Sequence, residues 1–280
     1  LQEIEQQRIV PDVTPGALRR ALPPAAPDAG EPFDQILEDF RTQIVPGMTH
    51  WGHPGWFAYF PSNASPPSIL GEFLTAGLAA QCMSWVTSPA ATELEQVVMA
   101  WYRQLLTLPE EFTGVIQDTA SSSTLVAFLT ARQRAGAGLS RCTAYWSSEA
   151  HSSVAKAARL TGLDEANCRV VPVDADFAMM PEALATLMAE DIAAGLTPLI
   201  VTATMGTTSS TACDPLRAIG EIAQRHGAWF HVDAAYGGSA AIAPEFRPLL
   251  DGVELADSLV TNPHKWLMTN FDCSAYFVRD

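Results

Sequence analysis

Lysine is scarce in this sequence. Only Lys156 and Lys265 are lysines among the 16 basic residues of the 280-residue chain, which carries 31 acidic residues. The formal net charge of −15 would repel a phosphate backbone, so we expect no nucleic acid as a partner. The two lysines are also the only side-chain candidates for any chemistry that needs an amine.

Long hydrophobic runs and cysteine pairs are absent as well. Apolar stretches such as residues 199–203 have the length of a strand, far below the roughly 20 residues that cross a bilayer, so we expect no membrane partner. The five cysteines form no C-x-x-C pair, which argues against a disulfide framework and a structural zinc site. The first residues show no secretion signal. These features favour a cytoplasmic protein that acts on small molecules.

Several catalytic and binding motifs are missing too. The sequence has no G-x-G-x-x-G, P-loop or G-x-S-x-G pattern, so nucleotide-binding and serine-hydrolase functions have no support. His50 and His53 resemble a pair of metal ligands, but Gly52, Pro54 and Gly55 break any helix there and no further ligand set follows. We therefore expect no bound metal.

The order of predicted elements indicates an α/β protein. The first ~60 residues are rich in proline and predict short helices joined by extended turns. Strands are predicted at residues 143–147, 169–173, 199–204, 228–232, 258–262 and 273–278, and helices at residues 89–106, 122–134, 152–160, 181–194 and 215–226. For the last helix, Asp214 is the expected cap, Pro215 the first residue and Gly227 the terminator. Such alternation predicts a mostly parallel sheet covered by helices, with ligands beyond the carboxyl ends of the strands.

Two clusters place reactive side chains at those carboxyl ends. Asp233 follows the strand at 228–232, and Lys265 follows the strand at 258–262 within the run Asn-Pro-His-Lys-Trp. Taken alone, Asp233 fits a turn or helix cap, and Lys265 fits a solvated surface charge. The apolar neighbours of Lys265 favour an ammonium with a lowered pKa, as a lysine that forms a Schiff base requires.

Together these residues match the needs of one cofactor, pyridoxal 5′-phosphate (PLP). PLP requires an amine for its aldehyde and a carboxylate that keeps its pyridine nitrogen protonated. Residues 119–124 open a predicted helix where backbone N–H groups and hydroxyls suit its phosphate, although ordinary helix capping explains the same residues. His151, after the strand at 143–147, is either a ring that stacks on an aromatic group or a neighbour of a helix cap.

In this order the clusters resemble those of the pyridoxal-dependent group II decarboxylases, which have the fold-type I, aspartate aminotransferase-like architecture. The matching stretches cover essentially the whole chain. They are residues 53–54, 57–61, 88–90, 92–95, 150–153, 206–208, 231–238, 262–266 and 270–274. The resemblance implies an α/β fold with a mostly parallel sheet flanked by helices and an N-terminal helical arm.

The resemblance also assigns roles position by position. Lys265 becomes the Schiff-base lysine, Asp233 the partner of the pyridine nitrogen, and His151 the ring that stacks on the cofactor. Further residues expected around PLP are Ala120, Ser121, Thr204, Ala235, Asn262 and His264, and those expected in the wall of the substrate pocket are Trp51, Tyr59, Phe60 and Pro61. Asp118 departs from the family pattern, because it stands where the phosphate loop usually has glycine and places an anion near the expected phosphate.

The implied activity is PLP-dependent decarboxylation of an aromatic L-amino acid to its amine and carbon dioxide. Tyr236 and Trp266 favour the aromatic branch over glutamate decarboxylases, while histidine decarboxylases share much of the pattern. Two alternatives remain open. One is an aromatic aldehyde synthase that works by oxidative deamination, and the other is a truncated, non-catalytic homologue.

The resemblance finally implies a domain organisation and a homodimer. Residues 1–65 are expected to form a proline-rich helical arm for dimerisation, and residues 66–280 a PLP-binding large domain. That domain would be incomplete, because family members continue with a mobile loop that carries a tyrosine and with a small C-terminal domain. The active sites would lie at the dimer interface, with the arm wrapping the partner and residues 81–86 reaching across.

Overall fold

Proline divides the first unit of the chain into short helical segments. The computed structural model describes residues 3–60, 64–136 and 138–279, and the chain divides into two units, residues 1–62 and 63–280. The described part of the first unit contains helices α1 (Ala17–Ala21) and α2 (Phe33–Asp39), a π-helical turn (Phe40–Ile44) and two short 3-10 turns. Short helices were predicted here.

The second unit alternates helices with strands. Its helices are α3 (Pro66–Leu78), α4 (Pro89–Leu105), α5 (Ala120–Ala135), α6 (Ser152–Thr161), α7 (Pro181–Ala193), α8 (Leu216–Arg225) and α9 (Pro263–Trp266). Its strands are β1 (Phe112–Gln117), β2 (Cys142–Ser147), β3 (Cys168–Val171), β4 (Thr197–Thr204), β5 (Trp229–Asp233), β6 (Ser258–Thr261) and β7 (Ser274–Arg279). No helix among the described residues is long and apolar enough to cross a membrane.

The seven strands form one mostly parallel sheet in the order β1-β7-β6-β5-β4-β2-β3. Strand β7 is antiparallel to both of its neighbours, and the pairs from β6 to β3 are parallel. The predicted α/β class with a mostly parallel sheet is confirmed. The carboxyl ends of β2, β4, β5 and β6 therefore meet at one edge of the sheet, which is where open α/β sheets bind their ligands.

Two apolar clusters cover the two faces of the sheet. One joins residues of α5 and α6, such as Ala127, Phe128 and Val154, to Trp146 and Ile200 on the strands. The other joins residues of α4, α7 and α8 to the side chains that point the opposite way, such as Val201 and Phe230. Alternate residues of each strand thus enter opposite clusters, as expected of a strand buried on both faces.

Three elements, β1, α3 and the short helix α9, were missing from the sequence prediction, and the predicted start of α8 was wrong. Gly114 interrupts the β1 pattern, but a Cβ atom there would lie 2.5 Å from Met99 Cε and 2.6 Å from Phe277 Cε1, so close packing excludes a side chain. Helix α3 begins with two prolines and contains two glycines, a composition typical of loops. Helix α8 begins at Leu216, and the Asp214 side chain does not cap it.

Candidate active site

Lys265 and Asp233 come together at the carboxyl edge of the sheet. Asp233 is the last residue of β5 and is 4% exposed, and Lys265 lies in α9, directly after β6. Burial lowers the pKa of Lys265, and the charge of Asp233 opposes this effect. Because β5 and β6 are neighbours in the sheet, the Lys265 amine and the Asp233 carboxylate interact electrostatically although they are 32 residues apart in the chain.

His151 interacts electrostatically with Asp233 and Lys265 and also caps helix α6. Its Nδ1 atom accepts a hydrogen bond from the Ser153 backbone N–H at 3.2 Å, at the start of α6. Partial burial lowers the pKa of His151, Asp233 raises it and Lys265 lowers it, so the imidazole is near both. A neutral ring whose Nδ1 accepts a hydrogen bond carries its own hydrogen on Nε2. The cap is thus observed, and the stacking role stays a prediction.

The backbone after β5 fixes the Asp233 carboxylate. The Ala235 N–H donates to Oδ1 at 3.1 Å, and the Ala234 N–H donates to the carbonyl of Val260 on the neighbouring strand. Ala235 itself is buried and presents only a methyl group. A short, hydrogen-bonded carboxylate of this kind has few rotamers to lose when it binds a cationic nitrogen.

The amino end of α5 presents backbone donors. Thr119 is the N-cap residue, and its hydroxyl accepts from the Ser122 N–H at 3.2 Å. The N–H groups of Ala120 and Ser121 are in the first turn, where an α-helix offers no carbonyl partner. Free donors and the positive end of the helix dipole make this a favourable place for a phosphate.

Asn262 and His264 add two side-chain donors. The Ser274 hydroxyl donates to Asn262 Oδ1 at 2.7 Å, which leaves Nδ2 as the donor. The Cys273 N–H donates to His264 Nδ1 at 2.8 Å, so the neutral imidazole carries its proton on Nε2. Burial lowers the pKa of His264 to about 4. Asn262 Nδ2 and His264 Nε2 are 3.4 Å apart and are both donors, an arrangement that suits a shared anionic acceptor.

Thr204 and Asp214 connect the end of β4 to the site. Asp214 accepts from the Thr204 N–H and from the Met179 N–H, each at 2.7 Å. Burial raises the pKa of Asp214 to about 6, although these hydrogen bonds partly offset it. The predicted helix cap is thus wrong, because the carboxylate is more favourably placed between two buried backbone donors. Sequence patterns did not find this role, since Met179 and Thr204 belong to distant elements.

Buried hydroxyls at this edge support the fit of a polar cofactor. Thr204 Oγ1 and Ser147 Oγ are buried without a hydrogen-bond partner among the described residues. Both lie at the carboxyl ends of strands that flank the site, β4 and β2. Unpartnered buried hydroxyls are costly unless a ligand or water satisfies them. Ser147 was not among the predicted site residues.

Asp118 directly precedes Thr119, the N-cap residue of α5. The Ser122 side chain and the Thr119 backbone N–H hold the pKa of this exposed carboxyl below its usual value. Asp118 therefore stays ionised and places a negative charge at the amino end of α5. Its effect on a bound phosphate stays a prediction.

The predicted wall of the substrate pocket lies in the first unit. Trp51 stacks on Tyr59 with ring centroids 5.3 Å apart and meets Phe60 edge-on at 5.4 Å. Pro61, the fourth predicted residue, lies outside the described residues. In the second unit, Tyr236 and Trp266 stack at 4.9 Å beside Lys265. The assignment of Trp51, Tyr59 and Phe60 to a pocket stays a prediction.

The fold and this arrangement define a class of protein, the PLP enzymes of fold type I. A mostly parallel sheet carries a half-buried lysine and a buried carboxylate at its carboxyl edge, beside a helix amino end with anion donors. The pyridoxal-dependent decarboxylase conserved domain matches residues 15–280. The chain belongs to this pyridoxal-dependent decarboxylase family.

Relatives within the family share most of this chain. Phenylacetaldehyde synthase of Arabidopsis thaliana is 48% identical over 99% of the chain and 59% of its own length. Tryptophan decarboxylase 2 of Oryza sativa subsp. japonica is 45% identical over 100% of the chain and 59% of its own length. The crystal structure of Oryza sativa TDC with PLP and tryptamine has a TM-score of 0.97 at 43% identity, and the match covers 100% of this chain and 60% of that one. The chain thus spans about 60% of the length of such relatives.

Proposed function

We propose that the protein decarboxylates an aromatic L-amino acid to the corresponding amine with PLP as cofactor. The observation that carries this proposal is the pairing of a half-buried Lys265 with a buried Asp233 at the carboxyl edge of the sheet. Similarity to tryptophan decarboxylase 2 of Oryza sativa supports the choice of reaction and substrate class.

Each group of the site has a role in holding the cofactor. Lys265 would bind the aldehyde of the cofactor, and the lowering of its pKa by burial favours the neutral amine that this bond requires. The N–H groups of Ala120 and Ser121 and the side chains of Asn262 and His264 would hold its phosphate. Thr204 would donate or accept a hydrogen bond at the edge of the cofactor.

Asp233 and His151 set the electrostatics of the reaction. Bound PLP supplies an electron sink for the pair of electrons released when the bond between Cα and the carboxylate breaks. Asp233 would keep a proton on the ring nitrogen, because a buried anion stabilises an adjacent cation. Ala235 and His151 would enclose the two ring faces and keep water from the reacting carbon. Loss of carbon dioxide and addition of a proton to Cα would give the amine.

A flat substrate is consistent with the aromatic residues of the chain. We propose that Trp51, Tyr59, Phe60 and Pro61 form the wall that contacts the substrate side chain, since stacked and edge-on rings favour an aromatic partner. The preferred aromatic acid would follow from this wall together with other parts of the pocket.

One other activity has specific support. The phenylacetaldehyde synthase of Arabidopsis thaliana is 48% identical to this chain. An enzyme of that kind would need an oxidant such as molecular oxygen and would release an aldehyde and ammonia together with carbon dioxide, in place of the amine. The product therefore separates the two proposals.

The test is product analysis after incubation of the purified chain with PLP and a panel of L-amino acids. The panel contains tryptophan, tyrosine, phenylalanine, dihydroxyphenylalanine, histidine and glutamate. An aromatic amine identified by mass spectrometry supports decarboxylation, and an aldehyde with ammonia supports the synthase. No product from any substrate would favour the non-catalytic homologue.

The two lysines offer a matched control. We expect Lys265→Ala to abolish turnover and covalent attachment of PLP, and exposed Lys156→Ala to retain both. Borohydride reduction followed by peptide mapping should find the pyridoxyl group on the peptide that contains Lys265. A label on Lys156 would contradict the assignment.

We further propose that the protein is a cytoplasmic homodimer. Exposed apolar side chains form stripes at helical spacing along α3 and α4 and continue in the segment between them: Leu70, Phe73, Leu74, Leu78, Met83, Trp85, Val86, Leu94, Val97, Trp101 and Leu105. The stripe of α4 was apparent in the sequence, yet the core contains Met99 and Tyr102 of this helix instead. Monomeric proteins rarely expose so large an apolar surface, and a second copy would cover it symmetrically.

Sedimentation velocity tests the dimer. Phe73→Glu together with Leu74→Glu, or Trp101→Glu alone, should shift the protein to a monomer, because a charge in an apolar interface loses its hydration. Leu160→Glu on α6 is the control, since Leu160 is as exposed as Phe73 but lies on another element. A dimer that survives the changes on both α3 and α4 would contradict this interface.

A further inference from the structure

Four adjacent strands place polar side chains in one buried layer of the sheet. Thr202 on β4 pairs with His231 on β5, and His231 pairs with Ser258 on β6. Tyr276 on β7 faces Val260, two residues beyond Ser258 on the same face. All four polar residues are buried, the most exposed being Tyr276 at 3%. None of the four residues has a role in the proposed reaction.

Ser258 is the centre of this layer. The Trp229 indole N–H donates to Ser258 Oγ at 2.8 Å, and His231 Nδ1 lies 2.8 Å from the same oxygen. Burial raises the pKa of Tyr276 and the Ser258 hydroxyl partly offsets this, so the phenol is close to Ser258 without hydrogen-bond geometry. The one proton and two lone pairs of this hydroxyl suffice for these three groups at most, so Ser258 has nothing left for Thr202 Oγ1 or His231 Nε2.

Three polar atoms of the layer are left without a partner among the described residues. They are Thr202 Oγ1, His231 Nε2 and Tyr276 Oη. Apolar side chains such as Phe128 and Val260 form the surrounding cluster, so bulk water does not reach them. Protein interiors satisfy groups of this kind with ordered water, which both donates and accepts. An imidazole nitrogen and two hydroxyls together offer the hydrogen-bond donors and acceptors that a water molecule needs.

The layer is directly beneath Asp233. His231 and Asp233 are two residues apart on β5, so they point to the same face at a spacing of about 7 Å. Burial lowers the pKa of His231 to about 4, while the charge of Asp233 acts in the opposite direction. His231 is therefore neutral at pH 7 and does not cancel the negative charge of Asp233. A neutral ring and a water molecule can orient dipoles toward the carboxylate instead.

We propose that Thr202, His231 and Tyr276 bind a buried water molecule beneath Asp233, and that His231 acts through this water as a positioning residue for the Asp233 carboxylate. The second half of the proposal rests on the proposed function, because it concerns the partner of the cofactor ring. The first half is a property of the protein without cofactor. The two halves therefore have separate readouts.

The first readout is the crystal structure of the PLP-free chain at high resolution. We expect density for a water within hydrogen-bond distance of at least two of the three atoms, and its loss in Thr202→Val, which removes one hydroxyl with little change of shape. Direct pairing of the three atoms with one another, or a dry layer in the wild-type chain, would overturn the proposal. This result does not depend on whether PLP binds.

The second readout is the bound cofactor itself. We expect Thr202→Val and His231→Asn to weaken PLP binding by about fivefold, the effect of losing one net hydrogen bond, and to shift the pH at which the absorption band of the bound cofactor changes. Thr197→Val is the matched control, because it makes the same substitution on the same strand at an exposed position. Circular dichroism verifies that each variant folds.

The outcomes separate the two proposals. A wild-type chain that contains the water but does not bind PLP would contradict the proposed function and leave the water site standing. A wild-type chain that binds PLP, with Thr202→Val and His231→Asn matching Thr197→Val in affinity and spectrum, would overturn the positioning role of His231.

Discussion

At the scale of single residues, burial separates the charged groups that are candidates for chemistry from those that are solvated at the surface. Lys265 and Lys156 are chemically identical, but Lys156 is exposed, whereas Lys265 is half-buried and burial lowers its pKa. Asp233 and Asp214 are both buried carboxylates, but they have different partners. Asp233 faces the amine, whereas Asp214 accepts from two backbone N–H groups and fixes Thr204.

Asp214 provides a test of this structural role. We expect Asp214→Ala to lower the free energy of unfolding by about 1–3 kcal/mol, because the N–H groups of Met179 and Thr204 lose their acceptor in the interior. Urea unfolding measures the change. Asp176→Asn, at an exposed position, should stay within about 0.5 kcal/mol of wild type. Equal stability of the two variants would show that the buried acceptor is dispensable.

Asp118 provides a test of the anion site. Replacement by asparagine removes a negative charge beside the amino end of α5, so we expect PLP to bind more tightly, by up to about fivefold, with a smaller benefit at high salt. Fluorescence titration of the PLP-free chain measures the affinity. Glu110→Gln removes a charge from an exposed position elsewhere and is the control. Weaker binding in Asp118→Asn would mean that this side chain helps to hold the cofactor.

At the scale of elements, local pattern predicted most of the second unit. Helices α4 to α8 and strands β2 to β7 were predicted within a few residues of their observed bounds, because apolar periodicity and helix-start residues are local signals. Strand β1 and helices α3 and α9 were missed. For β1 the reason is that Gly114 is required by the close approach of Phe277, which is far away in the chain.

The cap of α5 is a testable element-scale feature. We expect Thr119→Ala to cost about 1 kcal/mol of stability, since the Ser122 N–H loses its acceptor, and Thr119→Ser to restore most of it. Thermal unfolding measures both changes. PLP affinity should fall in parallel in Thr119→Ala, because the same turn would hold the phosphate. A stable Thr119→Ala variant with unchanged affinity would contradict both roles of this turn.

At the scale of the whole molecule, buried histidines couple stability to pH. Burial lowers the pKa of His231 to about 4, against about 6.5 in an unfolded chain. The unfolded state therefore binds a proton between pH 6.5 and pH 4 that the folded state does not bind. Stability is present above pH 6.5 and is lost as the pH falls through this window, by about 3 kcal/mol for this group.

We expect the unfolding free energy of the wild-type chain to fall more steeply below pH 6.5 than that of His231→Asn. His264 acts in the same direction as His231, and Asp214, whose pKa is raised to about 6, acts in the opposite direction. The difference between the two proteins isolates His231, because the other groups are common to both. Parallel pH profiles of denaturant unfolding would contradict a buried neutral imidazole.

The sequence by itself determined the class of fold and singled out Lys265 and Asp233 as the candidate reactive pair. Two lysines left one credible amine, and the strand-helix alternation placed Lys265 and Asp233 at the same edge of a sheet, because both signals are local in the chain. Only the tertiary structure decided the strand order, the acceptor role of Asp214, the paired donors of Asn262 and His264, and the polar layer beneath Asp233. Each of these depends on atoms brought together from distant segments, and no local pattern encodes such a contact.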